Sequence, residues 1–422
     1  MTTTAQGVDA LTDHLAGRED ELVELTMDLL SYDTQNPPGE TAELASFVEA
    51  FLDEAGIETE RITVDPAKPN LVATIPGAAE ETFLFNGHLD TVPYDTEAWT
   101  KAPLGEVDGD RLYGRGATDM KGPLAAMLEV IRGYAVLGIE PPVNLGIAIV
   151  SDEEVPSEAG IGALVEAEAI EADACVIGET TCEAGRFSLT VADKGSIWLT
   201  LEATGEAAHG SRPVMGDNAI DAVYAAVDDL RNSLSQRAIE IDAALEPVID
   251  ESIEYYEPTV GHEAAERLFR YPTVNLGHLS GGESINAVPE RATAGIDIRL
   301  TAGVDTETVL ADVRTCLDRH EGVRITESSW SVGTYEAADA PLVTATEETA
   351  SAVLGERVFL RSATGGGDAK RLRNAGISTV EFGVGTETVH AVDEFITGDA
   401  LTKNAEIYAR LPYRFADGIH TV

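Results

Sequence analysis

At 422 residues and 44% hydrophobic content the chain is long enough to bury two cores, so two domains are expected. Its 75 Asp and Glu against 28 Lys and Arg give a net charge of -47. The acids are spread along the chain, as in Glu19-Asp20-Glu21 and Asp228-Asp229, which reads as a solvated acidic surface of the kind high salt screens; it excludes nucleic acid and anionic membrane as partners. The three cysteines, Cys175, Cys182 and Cys316, form no CxxC pair, which argues against a disulfide framework or a zinc-thiolate site and suits a reducing cytoplasm. Met1 to Gly17 is polar and threonine-rich without a basic start, so no secretory leader is expected, and no stretch approaches a membrane span.

Leu22, Leu25, Leu29 and Leu30 recur at helical spacing, and Asn36-Pro37-Pro38-Gly39 is a turn cluster beyond them. A second helix carries Leu44, Phe47, Val48, Phe51 and Leu52 and stops at Gly56. Short strands follow at 62–64, 70–75 and 82–85, then a helix over 124–137 with Pro123 before it and Gly138 after it. The near-continuous apolar run 143–150 fits a strand covered on both faces. A short helix at 161–168 and a buried strand at 174–177 complete an alternation that predicts an α/β domain with a largely parallel sheet.

The pattern changes near Asp193. Residues 196–203 alternate, with Ile197, Leu199 and Leu201 on one face and Trp198, Thr200 and Glu202 on the other. A helix through Ile220, Val223, Val227 and Leu230, strands at 273–279 and 292–300, a helix through Val309, Val313 and Leu317, and a strand at 323–327 follow. This order predicts an inserted, ferredoxin-like α+β domain over 192–332, splitting a catalytic domain of 1–191 and 333–422. The acidic stretch 240–270 has no clear pattern. The α/β character returns with a helix at 343–354, a strand at 377–382 and a final helix at 402–408.

Chemistry collects just past strand ends, where open α/β sheets bind ligands. His88 and Asp90 end the 82–85 strand, two residues apart and so on one side if the chain stays extended. Asp119 follows on a glycine-rich loop; Glu153 and Glu154 follow the 143–150 strand; Glu179 follows the next; His390 stands after a late strand. His88, Asp119, Glu154, Glu179 and His390 exceed one tetrahedral site but suit two divalent metals sharing a carboxylate. Gly365-Gly366-Gly367-Asp368-Ala369-Lys370 lacks the spacing of a phosphate-binding loop, and His262-Glu263 lacks a second histidine for a zincin helix.

With these motifs the chain resembles the di-zinc aminoacylase and desuccinylase family of metallohydrolases, which includes acetylornithine deacetylases, succinyl-diaminopimelate desuccinylases, aminoacylases and glutamate carboxypeptidases. The resemblance runs through NGHLDTVP (86–93), GRGATDMKG (114–122), SDEEVPSEAG (151–160), GET (178–180), KGSIWLTLEATGEAAHGSRP (194–213) and the late histidine. It implies that His88 and Glu179 hold one zinc, Glu154 and His390 the other, and that Asp119 bridges them, cobalt or manganese being alternatives to zinc. It implies that Asp90 orients His88, that Glu153 is the general base, and that His209 stabilises the oxyanion from the inserted domain. Asn286, Arg299 and the loop at Gly365 and Gly366 would hold the substrate carboxylate. It also implies a cis peptide after Asp119 and a two-fold dimer through the inserted domain, with His209 serving the partner's site. The expected reaction is cleavage of an N-acyl amino acid, with a dipeptidase or carboxypeptidase activity as the alternative. A non-catalytic amino-acid-binding relative is the rival from another class, and retention of Glu153 argues against it, since metal binding alone does not need that residue. Thr181 after GET, Pro156 after the glutamate pair and Gly367 in the glycine loop depart from the family pattern and bear on substrate preference.

Overall fold

The computed structural model describes residues 2–155 and 157–419, so Pro156 lies outside the described residues. The chain forms two compact units. The first takes residues up to Val191, Glu336–Leu360 and the chain from Gly367 on; the second takes Ala192–Tyr335 and Arg361–Gly366.

In the first unit the large sheet runs in the order Thr59–Asp65, Lys68–Ile75, Asn144–Val150, Thr82–His88, Ala174–Thr180, Ser378–Gly383, Arg186–Asp193, Val358–Ala363. Asn144–Val150, Thr82–His88, Ala174–Thr180 and Ser378–Gly383 are mutually parallel, and the pairs toward the first edge are antiparallel. The apolar run predicted to be covered on both faces is so covered: Leu145, Ile147, Ala148, Ile149 and Val150 are fully buried. Strand alternation divides the work. Phe83 and Phe85 meet Phe415 and Tyr408 of the helix Gly398–Ile419, whereas Leu84, Val150 and Ile177 pack with Ile161, Leu164 and Leu372 on the other face. Each such fully buried side chain contributes about 1.5–3 kcal/mol of transfer free energy. A small antiparallel sheet of Glu106–Asp108, Arg111–Tyr113 and Phe395–Thr397 ties the chain after His390 to the loop that carries Asp119.

The second unit is an antiparallel sheet in the order Thr273–Gly281, Arg291–Leu300, Gly195–Thr204, Val323–Ser331. Helices Ala219–Ser235 and Thr306–Leu317 cover one face, with Ile197, Leu199, Leu201, Val223, Leu230, Ile298 and Val313 in its core. The other face leaves Trp198 and Trp330 about half exposed. The stretch 240–270 forms two helices, Glu246–Val260 and His262–Arg270, broken at Gly261, whose φ of +83° suits glycine.

Elements without a counterpart in the sequence reading include the helices Thr2–Ala16 and Asp368–Asn374, the strands Arg186–Asp193 and Val358–Ala363, and the three short strands of the small sheet. The last helix also runs further than predicted, through Pro412 to Ile419, because Leu411, Phe415 and Ala416 remain buried along its face.

Candidate metal centre

His88 is the last residue of its strand, and the chain leaves the sheet at Leu89. Its Nε2 lies 3.2 Å from Asp119 Oδ1 and 3.2 Å from Glu179 Oε1. The other oxygen of Asp119, Oδ2, lies 3.0 Å from His390 Nε2, which is 3.3 Å from Glu154 Oε2. Asp119 therefore belongs to two groups at once, His88–Asp119–Glu179 and Asp119–Glu154–His390, and within each the candidate ligand atoms all lie within 4.8 Å of one another. Mixed imidazole and carboxylate donors in that arrangement fit two divalent cations with Asp119 between them.

The charges in this cluster perturb one another. Burial opposes a charge on His88, but hydrogen bonds to Asp119, Asp90 and Glu179 win and raise its pKa well above 6.5. Hydrogen bonds to Asp119 and Glu154 push His390 up to about 10. Burial alone would raise Asp119, yet hydrogen bonds to both imidazoles hold it well below the carboxylate range. Burial, with Asp119 as neighbour, pushes Glu179 up to about 8. Protons on the imidazoles thus balance carboxylates that cations would balance equally well.

Asp119 owes its place to a residue absent from the predicted site. Glu394, fully buried, accepts through Oε1 the backbone N–H groups of Thr118 (2.9 Å) and Asp119 (3.0 Å). Through Oε2 it accepts Gly116 N–H (3.1 Å) and Arg115 Nη1 (2.6 Å), and Arg115 Nη2 reaches the carbonyl of His390 (3.3 Å). One carboxylate thereby fixes the loops of two candidate ligands. The only sequence signal was its position four residues after His390. The Asp119–Met120 peptide is cis.

Asp90 is fully buried, and its carboxylate has work beyond the His88 imidazole. Nδ1 of His88 sits 2.9 Å from the main-chain carbonyl of Asp90 and 3.5 Å from its carboxylate. The carboxylate mainly accepts the backbone N–H of Glu153 (3.0 and 3.2 Å) and of Glu154 (3.1 Å), so it holds the turn that bears the candidate base and a candidate ligand. Burial, together with the charges of Glu179 and Asp368, pushes the Glu153 carboxyl well above its ordinary range. A Cβ on Gly367 would come within 2.6 Å of Glu153 Oε1, so the glycine loop passes close to that carboxylate.

His209, Asn286, Arg299, Gly365 and Gly366 belong to the second unit. His209 and Asn286 lie on paired segments, with a bridge between His209 and Ala287 and the N–H of Gly210 donating to the carbonyl of Asn286 (2.6 Å). His209 Nδ1 lies 2.8 Å from Ser211 Oγ and 3.2 Å from the backbone nitrogen of Ser211. Arg299 Nε is held by both oxygens of Asp297 (2.8 and 3.0 Å), and Trp198 Nε1 donates to the same carboxylate (3.0 Å). The carbonyl of Gly365 accepts from Lys194 N–H (3.3 Å).

A sheet of this topology with clustered imidazoles and carboxylates at its strand ends defines a metallohydrolase, and the sequence places it further. Residues 84–414 match Peptidase family M20/M25/M40, and the chain belongs to that family. It is 29% identical over 393 residues to an acetylornithine deacetylase of Edwardsiella ictaluri, covering 88% of this chain and 90% of that one. It is 28% identical over 375 residues to a succinyl-diaminopimelate desuccinylase of Paracoccus denitrificans, with 86% and 91% covered. In fold it is similar to the M20 family metallo-carboxypeptidase Sso-CP2 from Sulfolobus solfataricus, with a TM-score of 0.74 at 22% identity over 93% of this chain and 99% of that one. The protein is accordingly a metal-dependent hydrolase of linear amide C–N bonds.

Proposed function

We propose that the protein is a zinc-dependent deacylase that splits an N-acyl amino acid into a carboxylate and a free amine, of the acetylornithine deacetylase or succinyl-diaminopimelate desuccinylase type. The observation that carries this reading is the pair of donor groups sharing Asp119, with the half-buried Glu153 on the turn next to Glu154. His88, Asp119 and Glu179 would hold one metal and Asp119, Glu154 and His390 the other; cobalt or manganese would meet the same donors. Bound there, the ions would supply Lewis acidity and lower the pKa of water. Glu153, on the turn next to Glu154, takes a proton from the attacking water and delivers it to the leaving nitrogen. His209 donates to the oxyanion. Asn286, Arg299 and the backbone of Gly365 and Gly366 bind the carboxylate of the substrate, the Arg299 fork being oriented for this by its hold on Asp297.

Membership of a peptidase family supports a second reading, a dipeptidase or carboxypeptidase, since the same centre attacks either amide. The outer strands Thr273–Gly281 and Val323–Ser331, the two ends of the second unit's sheet, support a two-fold dimer through that unit. The net charge of -47 supports a protein adapted to high salt, and the free cysteines support a reducing cytoplasm. The test is hydrolysis of a panel of acyl amino acids and dipeptides with and without added metal. Preference for acyl amino acids, lost on chelation, is expected; turnover of dipeptides alone favours the second reading, and turnover of neither overturns both.

A further inference from the structure

The turn 152–154 is held from a side the reaction itself does not use. Asn36, 2% exposed, donates from its amide nitrogen to Asp90 Oδ2 (2.7 Å) and, from the same nitrogen, to Asp152 Oδ1. Asp152, 4% exposed, is paired with Lys68, whose Nζ lies 2.8 Å from Asp152 Oδ1 and 3.4 Å from Asn36 Oδ1. Two buried carboxylates are thus clasped by one amide, with one ammonium against the outer of them. The clasp is anchored in the backbone: Asn36 N–H donates to Thr91 O (2.7 Å), and Thr91 N–H donates to Thr34 O (3.1 Å). Gly39 closes the loop over it with φ +74°; a Cβ there would fall 2.8 Å from Asn36 Cγ and 2.9 Å from Lys68 Cε.

We propose that Asn36 and Lys68 are positioning residues for one half of the metal centre. They lock the Asp90 carboxylate and Asp152 against each other, and so fix the turn that aims Glu154 and Glu153. Neither touches a candidate ligand. Their influence is directional because Asp90 serves the two halves by different atoms. His88 Nδ1 is closest to its main-chain carbonyl (2.9 Å), the carboxylate standing further off at 3.5 Å, whereas Glu153 and Glu154 hang from that carboxylate. Without the amide, two buried carboxylates face each other unbridged and the carboxylate of Asp90 turns away from the N–H groups it accepts. The Asp119–Glu154–His390 group then loses its geometry, while His88–Asp119–Glu179 keeps its own.

This inference rests on the two-metal reading, and the experiment separates them. Metal-free protein is titrated with cobalt(II) against a competing chelator, followed by absorption, for the wild type, Asn36→Leu, Lys68→Met and Lys68→Arg, with His88→Ala and His390→Ala marking the two sites. Asn36→Leu and Lys68→Met should weaken the site that His390→Ala abolishes by about 10- to 100-fold, the usual effect of losing an outer partner of a ligand. The site that His88→Ala abolishes should change by less than about threefold, and Lys68→Arg should restore the first. Unfolding by urea, read alongside, should show Lys68→Met as a folded protein, which covers the case in which Asn36→Leu does not fold. Unchanged affinity at both sites, or equal loss at both, overturns the positioning role. A wild type that binds a single cobalt overturns the two-metal reading instead.

Discussion

Replacing Glu394 by Gln tests how the fold holds Asp119. The substitution is nearly isosteric and leaves Oε1 to accept the N–H groups of Thr118 and Asp119. It puts an NH2 group where Oε2 accepted Arg115 Nη1 and Gly116 N–H, so donors face donors. Arg115, 5% exposed, is left as a buried charge without its carboxylate. Breaking one partner of a buried pair costs about 3–5 kcal/mol, and an unsatisfied buried N–H about 1–3 kcal/mol, the two being overlapping rather than additive here. A loss of about 3–5 kcal/mol is therefore expected in urea unfolding at fixed salt and metal. Adding Arg115→Met to Glu394→Gln should return part of that loss, because the orphaned charge goes with it. A loss below about 1 kcal/mol for Glu394→Gln, or a double variant worse than the sum of the singles, refutes the reasoning.

Glu153→Gln should lower kcat by roughly 10²-fold or more while metal content, read by elemental analysis, stays at the wild-type level; near-normal turnover removes Glu153 as the base. In the metal-free protein, His390 is raised from 6.5 to about 10, so the folded state binds its proton more tightly than the unfolded chain. That stability is fully present below about pH 6.5 and is lost as pH rises toward 10. Thermal melts of the metal-free protein should fall across that window and those of the loaded protein should not; a flat profile in the metal-free protein contradicts the assignment. The net charge of -47 predicts melting temperatures that climb from dilute buffer to molar potassium chloride, and a flat series tells against salt adaptation.

What could be read in the sequence follows from what each residue depends on. His88, Glu154 and Glu179 follow apolar strands, and a buried strand end announces itself through a run such as Asn144–Val150. The half-covered sheet of the second unit was equally visible in the alternation of Ile197, Leu199 and Leu201 against Trp198 and Thr200. Asn36 and Glu394 were not, because they act as partners of backbone N–H groups and carboxylates far away in the chain. Asn36 stood in Asn36-Pro37-Pro38-Gly39, where it looked like an ordinary turn residue, and Glu394 in an acidic pair of an acidic chain. The second task of Asp90 was hidden for the same reason: its carboxylate also answers to Glu153 and Glu154, more than 60 residues on. The helices of 246–270 were hidden by Pro258 and Gly261, which interrupt the period although Val248, Ile249, Tyr255 and Phe269 are buried. The helix Thr2–Ala16 opens on three threonines, poor helix formers, and is held by burial of Leu11 and Leu15.

The central claim is that Asp119 joins two metal sites. Equilibrium dialysis of the metal-free protein against zinc, with bound metal counted per chain and activity followed at each loading, tests it most directly. The account predicts about two ions per chain for the wild type and activity that is lost on chelation and returns with metal, with Asp119→Asn weakening both sites together. One ion per chain, or Asp119→Asn weakening only one of two sites, would contradict it.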